Sequence, residues 1–120
     1  MTNILLVEDN DGSADMISRM FASHEIYRAK SLQETWDILE GGLAPDMIIL
    51  DLNLPDSLGG DTYHAVRKRC PEIYTIVYTG LPLDCKSCPL LPSNVQVTYK
   101  GSENLVKQLN DINSMLDRLV

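Results

Sequence analysis

Two apolar runs of four, Ile4–Val7 and Met47–Leu50, stand out from a chain that otherwise mixes polar and apolar positions. Runs this short and continuous, rich in Ile and Leu, are the pattern of strands buried on both faces of a parallel sheet. Between them the period changes. Met16, Ile17, Met20 and Phe21 fall at helical spacing over 15–23, and a brief strand follows at Ile26–Ala29. Ser31 with Glu34 three residues on is a capping-box signature, and Gly41-Gly42 ends the helix that it opens. Beyond the second run, 63–69 is predicted helical and Ile73–Tyr78 reads as a β-branched and aromatic strand. Val95, Val97 and Tyr99 mark a fifth strand. Ser102 then caps a last helix with Leu105, Leu109, Ile112, Leu116 and Leu119 spaced 4-3-4-3. Alternating strands and helices predict an α/β fold, a doubly wound five-stranded parallel sheet with helices on both faces. Alternation also calls for a fourth helix over 81–93. Pro82, Pro89 and Pro92 limit it to a turn or two, so it is expected to be short or irregular.

Length changes this picture little: 120 residues with no repeat or linker predict one domain, 1–120, large enough for a core without disulfide or metal staples. Charge changes it more. The net charge of −7 is unfavourable for holding nucleic acid. It is also uneven: residues 1–61 carry 12 acids and 3 bases, residues 62–120 carry 5 acids and 7 bases. An acidic half of a compact chain points to a cation or a basic partner. No apolar run approaches the roughly 18 residues of a membrane span, and the N-terminus lacks signal-peptide character. With three cysteines in place of a paired framework, the expected address is cytoplasmic.

The ends of the predicted strands carry the chemistry. Glu8 and Asp9 follow the first strand, Asp51 the third, Thr79 the fourth and Lys100 the fifth. In an open parallel sheet these ends face one rim, where ligands bind. Three carboxylates brought together repel unless a cation is shared among them, and hard oxygen donors suit Mg2+. A lysine at the same rim suits a phosphoryl oxygen, and a carboxylate can itself attack phosphorus. The set reads as magnesium-dependent phosphoryl transfer onto an aspartate.

Ile4-Leu5-Leu6-Val7-Glu8-Asp9-Asn10, Met47-Ile48-Ile49-Leu50-Asp51-Leu52-Asn53-Leu54-Pro55 with Gly59, Thr79-Gly80 and Lys100 together resemble a two-component response-regulator receiver domain. The intervals match as well: 42 residues from Asp9 to Asp51, 28 to Thr79 and 21 to Lys100. The resemblance covers essentially the whole chain and implies a flavodoxin-like strand order, 2-1-3-4-5. It implies that Asp51 accepts a phosphoryl group from a sensor histidine kinase or a histidine phosphotransfer protein. Asp9, Asp51 and the Asn53 carbonyl would hold Mg2+ directly, with Glu8 acting through water. Thr79 would donate its hydroxyl to the phosphoryl group, Gly80 would leave room for it, and Lys100 would pair with it. The signal would pass by conformational change to a downstream protein target or output domain. The domain would be a switch that catalyses only its own phosphorylation and dephosphorylation, not a metabolic enzyme. The chain ends with its fifth helix, so a stand-alone regulator and a domain of a longer protein both stay open.

Three positions depart from the family pattern. Val97 stands where an aromatic switch residue is common. Gly101 replaces the proline after the lysine; a non-proline cis bond costs about 2.5–4 kcal/mol, so a trans bond is expected. The proline-interrupted fourth helix weakens the face usually used for output. Two rival readings follow. A pseudo-receiver would keep the fold as an interaction module not switched by phosphorylation. A phosphatase with an aspartate nucleophile generally wants a second carboxylate two residues on, where this chain has Asn53. Cys85 and Cys88 form a CxxC motif without a convincing second pair of ligands and read as loop thiols, with Cys70 at the opposite rim. His24 and His64 read as surface histidines, Trp36 as core, and the basic run Arg67-Lys68-Arg69 as a favourable helix end.

Overall fold

In the computed structural model, which describes residues 2–79, 93–99, 107, 109–112 and 114–115, the predicted strands form one parallel sheet. The described elements are, in chain order, β1 (Asn3–Val7), α1 (Asp11–Met20), β2 (Glu25–Ala29), α2 (Leu32–Glu40), β3 (Met47–Asp51), β4 (Asn53–Leu54), β5 (Ser57–Leu58), α3 (Gly59–Arg69), β6 (Tyr74–Thr79) and β7 (Val95–Tyr99). The sheet order is β2-β1-β3-β6-β7, which is 2-1-3-4-5 when its own five strands are counted. The strand pair β4 and β5 forms a small antiparallel hairpin apart from it, which the pattern of the sequence does not predict.

Successive residues of a strand point to opposite faces, and the core divides accordingly. Ile4, Leu6, Ile49 and Ile76 pack on one side with Ile17 and Phe21 from the α1 region and with Leu109 and Ile112. Leu5, Val7, Ile48, Leu50 and Val77 pack on the other with Tyr63 and Val66 of α3, and Trp36 and Leu39 of α2 lie partly buried against them. This two-sided burial is why β1 and β3 read as unbroken apolar runs. Leu109 and Ile112 are helical and buried, as the 4-3 spacing predicts. The expectations for the fourth helix, Gly80, Cys85, Cys88, Lys100 and Gly101 lie outside the described residues. Among the described residues no helix is long and apolar enough to cross a membrane.

Two helices begin four residues before the predicted ranges do. Helix α1 starts at Asp11 because the Asn10 side chain accepts the Ser13 N–H at 2.9 Å, and it ends at Met20, leaving Phe21 to Ser23 in a turn. Helix α3 starts at Gly59 without a side-chain cap on its first turn. Its start is set instead by the Gly59 N–H, which donates to the Leu52 carbonyl at 2.9 Å, and Gly59 holds φ at +59°, a value that favours glycine. Helix α2 runs as the capping box predicts, with Ser31 Oγ accepting the Glu34 N–H at 3.1 Å. His24 corrects the reading of two surface histidines. Its backbone N–H donates to the Phe21 carbonyl in the turn after α1, which carries the ring inward to lie tilted against Phe21, whereas His64 is exposed.

Candidate functional site

The strand order fixes where the carboxylates must fall. The chain leaves β1 for β2 on one side and reaches β3 on the other, so the loops after β1 and β3 diverge and open a crevice between them. In the β1–β3 register Val7 pairs with Leu50, which sets the next residues, Glu8 and Asp51, side by side. In the β3–β6 register Asp51 pairs with Tyr78, so Thr79 lies one step beyond it. Thr79 in turn pairs with Tyr99, the residue before Lys100. Lys100 itself lies outside the described residues, so the structure brings together Glu8, Asp9, Asp51, Asn53 and Thr79 of the predicted set.

Glu8, Asp9 and Asp51 each offer a carboxylate oxygen, and these oxygens all lie within 4.8 Å of one another. Glu8 and Asp51 are buried, as is Thr79, while Asp9 and Asn53 face solvent. Backbone donors set the rotations of both buried acids. The Asn10 N–H donates to Glu8 Oε1 at 3.0 Å, and the Asn53 N–H donates to Asp51 Oδ1 at 3.1 Å. At a separation of 4.8 Å and an effective dielectric of about 20, two unit charges repel by roughly 3 kcal/mol, a cost that a shared cation would offset. Oxygen-only donors, two enclosed and one open to water, fit a hard divalent cation that keeps part of its hydration shell.

Residues that the sequence reading passed over hold this rim in place. Arg28 of β2 donates to the Glu8 carbonyl from Nε at 3.2 Å and from Nη2 at 3.1 Å, and to the Asp9 carbonyl from Nη2 at 3.4 Å. Its Nη1 pairs with Asp11 at 2.8 Å, and Lys30 stands 3.7 Å from the same carboxylate. The Arg28 hydrogen bond, helped by the charges of Lys30 and Arg28, holds the exposed Asp11 carboxyl below its ordinary value of 3.8. An open groove of about 530 Å³ runs beside Arg28, lined by Asp11, Gly12, Ala14, Asp15 and Ser18.

On the other side of the crevice, Thr62 Oγ lies 3.0 Å from the Leu52 carbonyl and 2.7 Å from Ser57 Oγ. A threonine hydroxyl has one proton, so it donates to the carbonyl and accepts from the serine. Asp56, between β4 and β5, accepts the Leu32 N–H at 2.8 Å and the Gln33 N–H at 2.9 Å at the start of α2. Nothing local in the sequence points to Arg28, Thr62 or Asp56, because each acts on a partner ten or more positions away.

Comparison with known proteins gives the same fold and family. The crystal structure of the Mn(2+)-bound form of the response regulator Rcp1 aligns with a TM-score of 0.79 and 21% identity, covering 100% of this chain and 97% of that one. The phosphorylated cyanobacterial phytochrome response regulator RcpA aligns at 0.75 with 23% identity, covering 98% and 92%. The BeF3-activated DrrB receiver domain aligns at 0.73 with 21% identity, covering 98% and 99%. At such identities the likeness is one of fold. The luminescence regulatory protein LuxO of Vibrio campbellii is 50% identical over 36 residues, which is 30% of this chain and 8% of that protein's length. The family model of the response regulator receiver domain matches residues 4–83, two thirds of the chain, and the chain belongs to that family.

Proposed function

We propose that this receiver domain is a phosphorylation-dependent signalling switch with Asp51 as its phosphoacceptor. The observation that carries the reading is the convergence of Glu8, Asp9 and Asp51 within 4.8 Å at the crevice, with the Thr79 position one step along the same rim. In the proposed reaction an Asp51 carboxylate oxygen attacks the phosphorus of a phosphohistidine on a sensor histidine kinase or histidine phosphotransfer protein. The P–N bond breaks, its electron pair stays on the imidazole nitrogen, which takes up a proton, and an aspartyl phosphate forms. The Asn53 N–H on Oδ1 fixes the rotation of the carboxylate, so the oxygen it does not hold is assigned the attack. Water later attacks the same phosphorus, the P–O bond to Asp51 breaks, and inorganic phosphate leaves as the carboxylate is restored.

A bound Mg2+, held by Asp9, Asp51 and the Asn53 carbonyl with Glu8 through water, would supply the positive charge that lets carboxylate and phosphoryl oxygens approach. Thr79 is assigned a hydrogen bond to a phosphoryl oxygen, and Lys100 an ion pair with it. The Mn(2+)-bound Rcp1 and the phosphorylated RcpA lend support through their shared fold. On this reading the domain is a cytoplasmic switch that acts through a target protein or output domain, not a metabolic enzyme.

One observation favours a second reading. Val97, which packs against the sheet's second core layer, has no aromatic ring to swing between two positions. A pseudo-receiver, an interaction module that phosphate does not switch, accommodates that residue without further assumption. Intact mass after incubation with acetyl phosphate and Mg2+ separates the two. The switch gains one phosphoryl group, which is lost without Mg2+ and in Asp51→Asn. No adduct at any donor concentration, together with no Mg2+ binding, would leave the pseudo-receiver standing.

A further inference from the structure

The hairpin that follows the phosphoacceptor is anchored at both ends, and its far anchor reaches across the molecule. Its neck is closed by the Leu52 carbonyl, which accepts both the Gly59 N–H and the Thr62 hydroxyl. Its ladder is only two residues long on each side, pairing Asn53 with Leu58 and Leu54 with Ser57, and a hairpin that short is not stable alone. At its tip Asp56 places one carboxylate oxygen on the Leu32 N–H and the other on the Gln33 N–H.

Those bonds complete the capping of helix α2 from outside the helix. Its own Ser31 already accepts the Glu34 N–H, and Asp56 takes two further first-turn donors from 24 and 23 positions away. Two charge-assisted bonds to one carboxylate also fix direction, which a single cap does not. Helix α2 in turn follows β2, whose last residue, Ala29, accepts the Glu8 N–H at 3.0 Å. Asp56 therefore joins the Asp51–Asn53 side of the crevice to the Glu8–Asp9 side by a route separate from the β1–β3 pairing.

We infer that Asp56 is a positioning residue for the cation site, holding the hairpin through the start of α2 so that Asn53 keeps its place beside Asp51 at the crevice. The inference rests on the cation reading proposed above. Its test is Mn2+ titration of the parent, Asp56→Ala, Asp56→Asn and Ser31→Ala, followed by the electron paramagnetic resonance of free Mn2+, with melting temperatures measured alongside. Asp56→Ala is expected to weaken Mn2+ binding about tenfold, the scale seen for groups that orient metal ligands. Asp56→Asn, which keeps one acceptor oxygen and the side-chain shape, is expected to fall between. Ser31→Ala removes one cap bond of α2 but leaves both Asp56 acceptors in place, and is expected to lower the melting temperature while weakening Mn2+ binding less than Asp56→Ala does. Equal Mn2+ affinity in the parent and both Asp56 variants would reduce Asp56 to a helix cap and overturn the inference. Equal weakening in Ser31→Ala would overturn it too, by tracing the effect to α2 stability. A parent that binds no Mn2+ would remove the cation reading itself, and the inference with it.

Discussion

A single guanidinium does more at this rim than either of its neighbours in sequence. Arg28 bonds two carbonyls of the acidic loop and pairs with the Asp11 carboxylate, tying the loop after β1 to the start of α1. Replacing it with methionine keeps the apolar stem and removes the donors. Charge-assisted bonds of this kind are each worth about 1.5–3 kcal/mol when buried and less when partly exposed, as here. The direct readout is the Asp11 carboxyl, which carbon NMR should find titrating below 3.8 in the parent and closer to it in Arg28→Met, with Lys30 still holding it down in part. Cys70 illustrates the opposite case, a residue whose surroundings leave it inert. Burial at the end of α3 pushes its thiol upward, consistent with a packing role rather than a redox one. The carboxylates were legible because each directly follows a run of buried aliphatics, where a charged residue has no structural excuse. Arg28 was not: it is one more basic residue in an edge strand until β1 is laid beside it.

At the scale of elements, local signals succeeded where a helix carries its own cap. Ser31 and Glu34 announce α2, and the structure places the helix where they say. Helix α3 has no such signal, since a carbonyl seven residues upstream and a hydroxyl inside the helix set its start, and the hairpin before it likewise exists through tertiary anchors. The junction between hairpin and α2 carries a pH dependence of known sign. Backbone bonds from Leu32 and Gln33 hold the Asp56 carboxyl below its ordinary 3.8. A carboxyl depressed in the folded state stabilises fully above its unfolded value, and that contribution disappears as pH falls through the folded one. Melting curves taken downward from pH 5 should therefore drop more steeply below about 3.8 in the parent than in Asp56→Asn, which has no proton to gain there. Parallel slopes would mean that the two backbone bonds do not persist in solution.

For the whole molecule, topology does what no element does alone. The reversal of strand order beside β1 opens the crevice, and the register of two strand pairs delivers Glu8, Asp51 and Thr79 to it. The alternation of strands and helices made this much readable, because parallel order and the placing of strand ends follow from it. The two-sided core keeps the arrangement rigid, with β3 buried along its full length. That rigidity holds like charges together, and removing one should help the fold. In the absence of divalent cations, Asp51→Asn is expected to melt at a higher temperature than the parent, and saturating Mg2+ is expected to narrow or reverse the gap. A lower melting temperature for the ion-free variant would show that the cluster is satisfied without a cation. The repulsion also has a bearing on engineering. Aspartate and asparagine codons differ by one base, so a randomly mutated library reaches the relieved forms at once. Screened for heat resistance or soluble yield, such a library would enrich changes at Glu8, Asp9 and Asp51, and its best-expressing clones would be those that had lost the acidic cluster on which the proposed switch depends.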